Sequence, residues 1–345
     1  MKALVYLGPN KKALEDRPIP TINMPTDAVV RVEKATVCGT DIHIIKGDVS
    51  SCQPGRILGH EGTGIIDKIG SAVRFFKPGD RVLISCISAC GKCAYCRQKI
   101  YSHCVTGGWM LGNKVDGTQA DFVRTPYADT SLHHIPKGMD EDALVLLSDI
   151  LPTGFECGVL DGKIKSGDSV AIVGAGPIGL AALLSVQRYS PKKIFVIDID
   201  NNRLEMAKRF GATTTINNNE VNAHEKIMQL THNSGVDTAI ETLGITVSTK
   251  LCNHIIAPRG VIVNIGASRA KVDLLLEESW NRQVTVTASL VDTFSTSMLL
   301  EILRSKKASH QRLITHYFKL DSILEAYDAF TNAINTRALK VIIET

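Results

Sequence analysis

The second half of the chain contains a short apolar run, a cluster of glycines and a longer apolar run, SVAIVGAGPIGLAALLSVQRYS, at residues 169–190. This pattern predicts a buried strand that is followed at once by a helix. Further strands are expected in KIFVIDID, ATTTIN, VDTAIETLG, GVIVNIG and QVTVTASL, with another helix in NNRLEMAKRFG. Apolar strands that alternate with helices are typical of a parallel sheet covered on both faces. The second half of the chain is therefore expected to have an α/β fold.

The glycines between this strand and helix have the G-x-G-x-x-G spacing, with Gly174, Gly176 and Gly179 at its fixed positions. At a strand-to-helix junction they permit a tight turn, close approach of the backbone to a pyrophosphate, and close helix–strand packing. Asp198 ends the next predicted strand, where a carboxylate would bind both ribose hydroxyls and repel a 2′-phosphate. The pattern thus predicts an NAD site rather than an NADP site. Its expected residues are Gly174, Gly176, Pro177, Ile178, Gly179, Asp198 and Arg203.

The first 150 residues have a different rhythm, with short β-like runs such as AVVRVEKATV and GTGIIDKIG separated by Gly and Pro. They predict an all-β or barrel-like domain. Because 345 residues are too many for one ordinary core, about two domains are expected. After residue 290, helices are predicted in STSMLLEILRS and LDSILEAYDAFTNAI, and a last strand in ALKVIIE.

Four cysteines lie close together in CGKCAYCRQKIYSHC, at residues 90–104, with the spacing C-x2-C-x2-C-x7-C. Four thiolates at such spacing suit a tetrahedral structural zinc site that is closed to water. An iron–sulfur cluster is the alternative, because short C-x2-C-x2-C runs also hold clusters. The lobe is expected to span about residues 86–110, with Cys90, Cys93, Cys96 and Cys104 as its ligands.

A second group of candidate ligands precedes this lobe, in ATVCGTDIHIIKGD and GHEGTG. A lone cysteine or histidine is more often a core or surface residue than a ligand. Together, however, Cys38 and His60 offer a thiolate and an imidazole to a zinc ion that needs a third protein ligand. A site with three protein ligands keeps one position open, as catalytic zinc sites do.

The composition excludes several classes of partner. With 44% hydrophobic and 21% charged residues and a formal charge of +4, the chain reads as an ordinary globular protein without a basic nucleic-acid-binding patch. No apolar run is long enough to span a membrane, and the opening MKALVYLGPN is too short for a signal peptide. We expect a cytoplasmic protein whose nine cysteines form no disulfide framework.

Taken together, CGTDIH, GHEGTG, the four-cysteine lobe, VGAGPIG with Asp198, and the C-terminal segment resemble the zinc-dependent alcohol dehydrogenases of the medium-chain dehydrogenase/reductase family. The resemblance runs essentially from end to end. It implies a GroES-like β-barrel catalytic domain over residues 1–150 and a Rossmann-type domain with a doubly wound parallel sheet over 151–290. Residues 291–345 would return to the first domain, with the active site in the cleft between the domains.

The resemblance also implies a ligand set for the catalytic zinc. Cys38 and His60 would bind it, with Glu61 beside it, able to approach the ion or to exchange with its bound water. Many members use a second cysteine as third ligand, but here LSDILPTG offers Asp149, as in bacterial secondary-alcohol dehydrogenases. Cys157 is a less favoured candidate. All expected metal-binding residues are Cys38, His60, Glu61, Asp149, Cys90, Cys93, Cys96 and Cys104.

Further roles follow from the same resemblance. Asp41 would orient the His60 ring, and Thr40 would contact the reacting alcohol. His43 would be the outer end of a proton relay through the nicotinamide ribose, or alternatively a plain surface histidine. Lys340, in the last strand, would approach the cofactor phosphates.

The implied activity is hydride transfer between a small alcohol, favoured to be secondary, and NAD, giving a ketone or aldehyde. Two zinc ions per chain and a homo-oligomer, a dimer or a tetramer, are expected. An L-threonine 3-dehydrogenase or a polyol dehydrogenase on the same scaffold is the enzymatic alternative. A zinc-ribbon binding protein and a zinc-free quinone reductase are the remaining alternatives. The separate Cys38/His60 pair argues against both.

Overall fold

The computed structural model describes residues 1–267, 271–272, 276–305 and 309–345. The chain forms two compact units, which we call the β-rich unit (Met1–Asp149 with Asp292–Thr345) and the parallel-sheet unit (Ile150–Val291). The boundaries expected from the sequence, after residues 150 and 290, each lie one residue from these.

The strands, in chain order, are β1 (Lys2–Gly8), β2 (Lys11–Asp16), β3 (Ala28–Val37), β4 (Gly62–Ile69), β5 (Arg81–Ile84), β6 (Phe122–Thr125), β7 (Leu132–His134), β8 (Ser169–Val173), β9 (Lys193–Asp198), β10 (Thr214–Asn217), β11 (Val236–Glu241), β12 (Ile256–Asn264), β13 (Thr285–Ala288), β14 (Ile314–Lys319) and β15 (Lys340–Glu344).

The α-helices are α1 (Gly39–Ile45), α2 (Ala94–Arg97), α3 (Ala128–Ser131), α4 (Glu141–Val145), α5 (Ile150–Thr153), α6 (Pro177–Val186), α7 (Asn201–Arg209), α8 (Ala223–Leu230), α9 (Thr246–Ile255), α10 (Leu276–Ser279), α11 (Thr296–Ser305), α12 (Ile323–Thr331) and α13 (Ala333–Thr336). A π-helix, Gly154–Leu160, continues from α5. Short 3-10 helices are Tyr101–His103, Leu146–Ser148, Gln187–Tyr189, Trp280–Arg282, Ser309–Leu313 and Leu320–Ser322. Among the described residues no single helix is long and apolar enough to cross a membrane, although the bent pair Glu141–Ser148 and Ile150–Leu160 passes on length and composition alone.

The main sheet of the β-rich unit has the order β14-β15-β3-β4-β5-β7, with β6 also paired to β3. The last strand runs antiparallel to β3, so that Val341 lies opposite Val37. On the other side of β3, Gly62 of β4 lies opposite Ala35. The residues just after β3, just before β4 and at the start of β15 therefore meet at one end of this sheet.

The sheet of the parallel-sheet unit has six parallel strands in the order β10-β9-β8-β11-β12-β13. In order of appearance this is 3-2-1-4-5-6, the Rossmann arrangement, in which the strand order reverses between the first and fourth strands. Ligands bind such sheets beyond the carboxyl ends of the strands at this reversal. Here that point lies where β8 and β11 end, which is where the glycine turn begins.

The elements not expected from the sequence include β14 and the helix that continues into Gly154–Leu160. β14 alternates half-buried and exposed residues and so lacks an apolar run. The helix that continues into Gly154–Leu160 contains Pro152 and two glycines, which are weak helix formers. The glycines are explained by packing: a Cβ on Gly154 would lie 2.6 Å from the backbone nitrogen of Ala182 in α6. Close helix–helix approach outweighs propensity here.

Candidate metal centres and cofactor site

One group of candidate ligands lies at the end of the main sheet of the β-rich unit. Cys38 directly follows β3 and is the N-cap residue of α1. His60 and Glu61 directly precede β4, whose first residue, Gly62, pairs with Ala35 of β3. The two sequence motifs are thus brought together by the pairing of β3 with β4. We call Cys38, His60, Glu61 and Asp149 the cysteine–histidine cluster.

Asp149 joins this cluster because its neighbour is tied to the start of β4. The Ser148 hydroxyl accepts a hydrogen bond from the Gly62 backbone N–H at 3.1 Å. The Cys86 backbone N–H in turn donates to the Ser148 carbonyl at 3.0 Å. These contacts hold the last residue of this part of the β-rich unit beside His60.

The ligand atoms of the cluster all lie within 4.8 Å of one another. His60 Nε2 is 3.4 Å from Asp149 Oδ2, and Cys38 Sγ is 4.0 Å from the same oxygen. A tetrahedral zinc with bonds of about 2.0–2.1 Å separates its nitrogen and oxygen ligands by roughly 3.4 Å. Cys38 and Asp149 are each 8% exposed and His60 only 3%. The donor set and its spacing therefore fit one zinc ion.

Asp41 lies on the far side of the His60 ring from these ligands. Its Oδ1 is 3.5 Å from His60 Nδ1, and its Oδ2 accepts a hydrogen bond from the Cys38 backbone N–H at 2.9 Å. This position matches the orienting role expected from the sequence, since a carboxylate at Nδ1 leaves Nε2 to face a metal. The Trp109 ring meets the His60 ring edge-on, with centroids 6.1 Å apart.

Glu61 is held by a buried lysine and a threonine. Lys340 Nζ donates to Glu61 Oε1 at 2.7 Å and lies 2.5 Å from Oε2, while the Thr36 hydroxyl also donates to Oε2. Lys340 is 1% exposed. The sequence predicted that Lys340 approaches the cofactor phosphates. In the structure this cation is buried against Glu61, because β15 pairs with β3 at this end of the sheet, and its approach to the cofactor stays a prediction.

The charges of the cluster favour a cation at its centre. Burial opposes charge on His60, but hydrogen bonding to Asp149 and Asp41 outweighs it and raises the pKa of His60 well above its usual value. Burial raises the pKa of Glu61, against the opposite effect of Lys340. Burial likewise opposes charge on Lys340, yet the nearby Glu61 and Cys38 raise the pKa of its amine. A thiol and two carboxylates thus surround one imidazole and attract positive charge.

The two expected relay residues lie on α1. Thr40 is half-buried in the first turn of this helix. His43 has a side chain that is 36% exposed, with Nδ1 3.3 Å from Asp48 Oδ2. This exposure is compatible with both roles considered for His43, a proton-relay end and a surface histidine.

The four-cysteine lobe is the second group of candidate ligands, and its sulfur atoms also lie within 4.8 Å of one another. Cys93 Sγ is 3.5 Å from Cys96 Sγ, and Cys90 Sγ is 3.9 Å from Cys96 Sγ. Four sulfurs around zinc with bonds of about 2.3 Å are separated by roughly 3.8 Å. Backbone hydrogen bonds from Cys96 and Val105 lower the pKa of the Cys93 thiol to about 6, which favours the thiolate that metals bind.

The glycine turn leaves β8 and enters α6 as the sequence predicted. Gly174 has φ +107°, a conformation that side chains rarely adopt, and a Cβ there would lie 2.3 Å from Thr242 Oγ1. A Cβ on Gly179 would lie 1.9 Å from the Gly174 carbonyl oxygen. By contrast, the nearest atom to a Cβ on Gly176 is Arg203 Nη1 at 4.0 Å. The turn is therefore packed on the protein side and open at Gly176, where a phosphate can approach.

Asp198 ends β9 and is bound by three backbone N–H groups. Its Oδ2 accepts from Ala175 at 2.6 Å, and its Oδ1 accepts from Ile199 at 2.7 Å and Asp200 at 3.0 Å. The carboxylate therefore links the glycine turn to the end of the neighbouring strand. Each carboxylate oxygen has further acceptor capacity, so the ribose hydroxyls of a dinucleotide remain suitable partners.

Arg203, in the first turn of α7, lies near both features. Its Nε is 3.9 Å from Asp200 Oδ2, and neither atom has a hydrogen-bond partner within the described residues. A guanidinium with spare donors beside the open Gly176 position suits a phosphate or ribose of the cofactor.

Sequence reasoning did not assign Thr36 or Trp109 to the cluster, and it did not identify Glu61 as the partner of Lys340. Lys340 carried a signal, because it is a charged residue that directly precedes the apolar residues VII of the last strand. A buried lysine needs a counter-charge. The sequence gives no indication of which acid it meets, since that depends on the register of β15 against β3.

Comparison with known proteins identifies the family. Residues 24–137 match the alcohol dehydrogenase GroES-like domain, and residues 177–304 match the zinc-binding dehydrogenase domain. Together with the parallel sheet, these matches confirm the predicted fold class, a GroES-like domain with a Rossmann-like domain. Among similar solved structures, one is complexed with NADH and another with NADP.

Three relatives show how close the similarity is. The chain is 33% identical to an alcohol dehydrogenase of Cupriavidus necator, over 96% of this chain and 95% of that protein. A zinc dependent alcohol dehydrogenase 2 of Streptococcus pneumoniae has 48% identity and a TM-score of 0.96, covering 100% of this chain and 98% of the other. A protein of Mycoplasma pneumoniae named as a probable NADP-dependent isopropanol dehydrogenase is 29% identical, over 92% of this chain and 93% of that protein. The chain therefore belongs to the zinc-dependent alcohol dehydrogenases of the medium-chain dehydrogenase/reductase family and is an oxidoreductase.

Proposed function

We propose that Cys38, His60 and Asp149 bind a catalytic zinc ion and that the chain oxidises small secondary alcohols with NAD, or reduces the corresponding ketones. The observation that carries this proposal is the approach of a thiol, an imidazole nitrogen and a carboxylate oxygen within 4.8 Å of one another. Cys157 belongs to the parallel-sheet unit and to neither group of clustered ligand atoms. Asp149 is therefore the better third ligand.

When bound, zinc would supply Lewis acidity to the substrate oxygen, and nicotinamide would accept or return the hydride. The protein's part is to hold the ligands in place. Asp41 keeps Nδ1 of His60 turned away from the other ligands, so that Nε2 faces them. The Trp109 ring contributes an apolar wall beside this imidazole.

Glu61 is proposed as a held neighbour of the metal rather than a permanent ligand. Its nearer oxygen is 3.9 Å from His60 Nε2, and both its oxygens accept hydrogen bonds from Lys340 or Thr36. The lysine neutralises its charge, so the cluster does not gain a third anion. A permanent third anion would weaken zinc as a Lewis acid. Release of one of these hydrogen bonds would let Glu61 approach the ion transiently.

For the proton, we propose a path along α1. Thr40 would accept a hydrogen bond from the alcohol hydroxyl and pass the proton outward, through the nicotinamide ribose, to His43. The half-buried position of Thr40 and the partial exposure of His43 support this direction. Asp48, 3.3 Å from His43 Nδ1, would stabilise the imidazolium that results.

The four-cysteine lobe is proposed to bind a second, structural zinc. Four sulfurs within 4.8 Å of one another fill all positions of a tetrahedral ion and leave none for a substrate. An iron–sulfur cluster would require a similar thiolate set, and the colour of the purified protein would distinguish it.

NAD is proposed as the preferred cofactor because of Asp198. Its carboxylate lies at the end of β9 beside the glycine turn, where it would bind ribose hydroxyls and repel a 2′-phosphate. Arg203 argues in the other direction, since an arginine near this position can bind a 2′-phosphate. The Mycoplasma relative is named as NADP-dependent, so both cofactors need to be compared.

A secondary alcohol is proposed as substrate on two grounds. The Cys–His–Asp ligand set resembles that of secondary-alcohol dehydrogenases, and one relative is named for isopropanol. We also propose a cytoplasmic location, a homo-oligomer of two or four chains, and no nucleic-acid or membrane partner. Nine cysteines without a disulfide among them support a reducing compartment.

The proposed function is tested by initial rates on the purified, zinc-containing protein. The panel contains primary and secondary alcohols, polyols and L-threonine, each with NAD and with NADP. We expect the highest kcat/KM with a small secondary alcohol and NAD. A higher kcat/KM for threonine or a polyol would replace the proposed substrate, and a preference for NADP would refute the role given to Asp198.

A further inference from the structure

Behind the cysteine–histidine cluster, a chain of buried polar side chains leads from Asp41 to helix α12. The Tyr327 hydroxyl donates a hydrogen bond to Gln119 Oε1 at 2.8 Å. Gln119 Nε2 donates to Asp41 Oδ2 at 3.1 Å and to the Thr36 carbonyl at 3.0 Å. Asp41, Gln119 and Tyr327 are at most 1% exposed.

The direction of this chain is fixed by chemistry. Burial raises the pKa of Tyr327 well above its usual value, so its hydroxyl stays protonated and can donate. The acceptor of a Gln side chain is its carbonyl oxygen, so the tyrosine selects one of the two amide orientations. With the oxygen turned to Tyr327, the NH₂ group is turned to Asp41 and the Thr36 carbonyl. The reverse orientation would face Asp41 with an oxygen and leave the carboxylate without this donor.

The effect reaches His60 through Asp41. Asp41 Oδ2 already accepts from the Cys38 backbone and from Gln119, which turns Oδ1 toward His60 Nδ1 at 3.5 Å. Within the described part of the chain, neither Oδ1 nor Nδ1 has another hydrogen-bond partner. In the neutral form that binds a metal, an imidazole that presents an N–H to this carboxylate has its lone pair on Nε2, which faces Cys38 and Asp149.

We propose that Tyr327 and Gln119 are positioning residues for the metal cluster, which hold Asp41 against His60 and so select the ring orientation and tautomer that bind zinc. This inference rests on the proposed zinc site. It extends the support of that site from Asp41 to the C-terminal segment of the chain, since Tyr327 belongs to α12. The Gln119 amide also donates to the carbonyl of Thr36, whose hydroxyl donates to Glu61. One side chain therefore connects the residue behind His60, Asp41, with the residue that holds Glu61.

The chain offers a matched pair of substitutions. Tyr327→Phe removes only the hydroxyl and keeps the buried ring, including its contact with Lys12 Nζ at 5.3 Å. Tyr6→Phe makes the same change at another buried tyrosine of the same hydrophobic core, 4% exposed. Among the described residues no hydrogen bond from the Tyr6 hydroxyl is seen, so this variant serves as the control.

The measurement is the rate at which each metal leaves the full-length protein in excess chelator, followed by elemental analysis. We expect Tyr327→Phe to lose the cluster metal about tenfold faster than wild type, the lower end of the effect of outer ligand-orienting groups. The four-cysteine metal should leave at the wild-type rate, and Tyr6→Phe should match wild type for both metals. Cobalt bound at the cluster should show altered visible bands in Tyr327→Phe and unaltered bands in Tyr6→Phe.

A double variant separates positioning from general loosening. If Tyr327 acts through Gln119, adding Tyr327→Phe to Gln119→Leu should change the rate of cluster metal loss by less than about twofold. Independent, additive effects would overturn the proposal, as would metal loss from Tyr327→Phe within twofold of wild type. Should Tyr327→Phe fail to fold, Gln119→Leu alone is compared with Tyr6→Phe in the same way. A wild-type protein with metal only in the four-cysteine lobe would overturn the proposed function itself. If the wild-type cluster holds metal and Tyr327→Phe loses it at the wild-type rate, only the positioning role is overturned.

Discussion

At the scale of single residues, the partners of a charged side chain decide what it can do. Glu61 lies beside the proposed zinc ligands and by itself would be a natural ligand. Lys340 and Thr36 bind both of its oxygens, and we propose that these contacts hold it back from that role. Lys340, for the same reason, cannot be treated as a solvated cation near the end of the chain.

Asp198 gives a residue-scale prediction about cofactor choice. Asp198→Gly removes the acceptor for the ribose hydroxyls and the charge that repels a 2′-phosphate. The lost charged hydrogen bonds are worth about 1.5–3 kcal/mol, so the Kd for NAD should rise roughly ten- to a hundredfold while that for NADP falls. Titration of each cofactor against the intrinsic fluorescence measures both constants.

A control is needed because Asp198 also accepts three backbone hydrogen bonds. Asp200→Asn removes a neighbouring charge but keeps an N-cap side chain for α7. This variant should leave the ratio of the two cofactor affinities within about threefold of wild type. Equal weakening of NAD and NADP in Asp198→Gly would mean that the residue only shapes the turn.

At the scale of elements, the cluster exists because β3, β4 and β15 are paired in one register. The motifs that contain Cys38 and His60 were readable from the sequence, since each combines a metal-ligand type with nearby glycines. Asp149 was identified only through resemblance to a family. The contacts of Lys340, Gln119 and Tyr327 were not predictable, because they depend on how the last strand and α12 pack against β3 and the 118–121 segment.

The parallel-sheet unit was predicted more completely for a physical reason. Its strands are buried apolar runs and its turn glycines are required by close contacts, so both leave strong local signals. Helix α5 and the π-helix that follows it were missed, because Gly154 is selected there by contact with α6 rather than by helix propensity.

The four-cysteine lobe gives a prediction at this scale. Cys93→Ser should remove the lobe metal and leave the cluster metal, because the two groups of ligands share no residue. A closed thiolate site contributes folding free energy directly, so the thermal unfolding midpoint should fall by about 5 °C or more. Metal analysis and calorimetry on the same sample measure both effects.

Cys86→Ser is the matched control, since Cys86 is a buried cysteine of the β-rich unit outside both groups of clustered ligand atoms. Its metal content should equal that of wild type. A brown protein with an iron–sulfur spectrum, or a Cys93→Ser variant with unchanged metal content, would contradict the zinc assignment of the lobe.

At the scale of the whole molecule, the chemistry is divided between the two units. Both candidate metal centres belong to the β-rich unit, and the dinucleotide turn belongs to the parallel-sheet unit. The C-terminal segment from Asp292 is part of the β-rich unit and supplies Lys340 and Tyr327 around the cluster. Truncation of this segment would therefore remove support from the metal site as well as a strand from the sheet.

We propose that turnover of the whole molecule depends on a zinc ion held by Cys38, His60 and Asp149. It is tested most directly by zinc content and steady-state rate of wild type, His60→Ala and Glu61→Ala, prepared side by side. We expect about two zinc ions per chain in wild type, about one in His60→Ala with turnover lowered by at least a thousandfold, and two in Glu61→Ala with a smaller loss of rate. Full zinc content in His60→Ala, or loss of the cluster metal from Glu61→Ala, would contradict it.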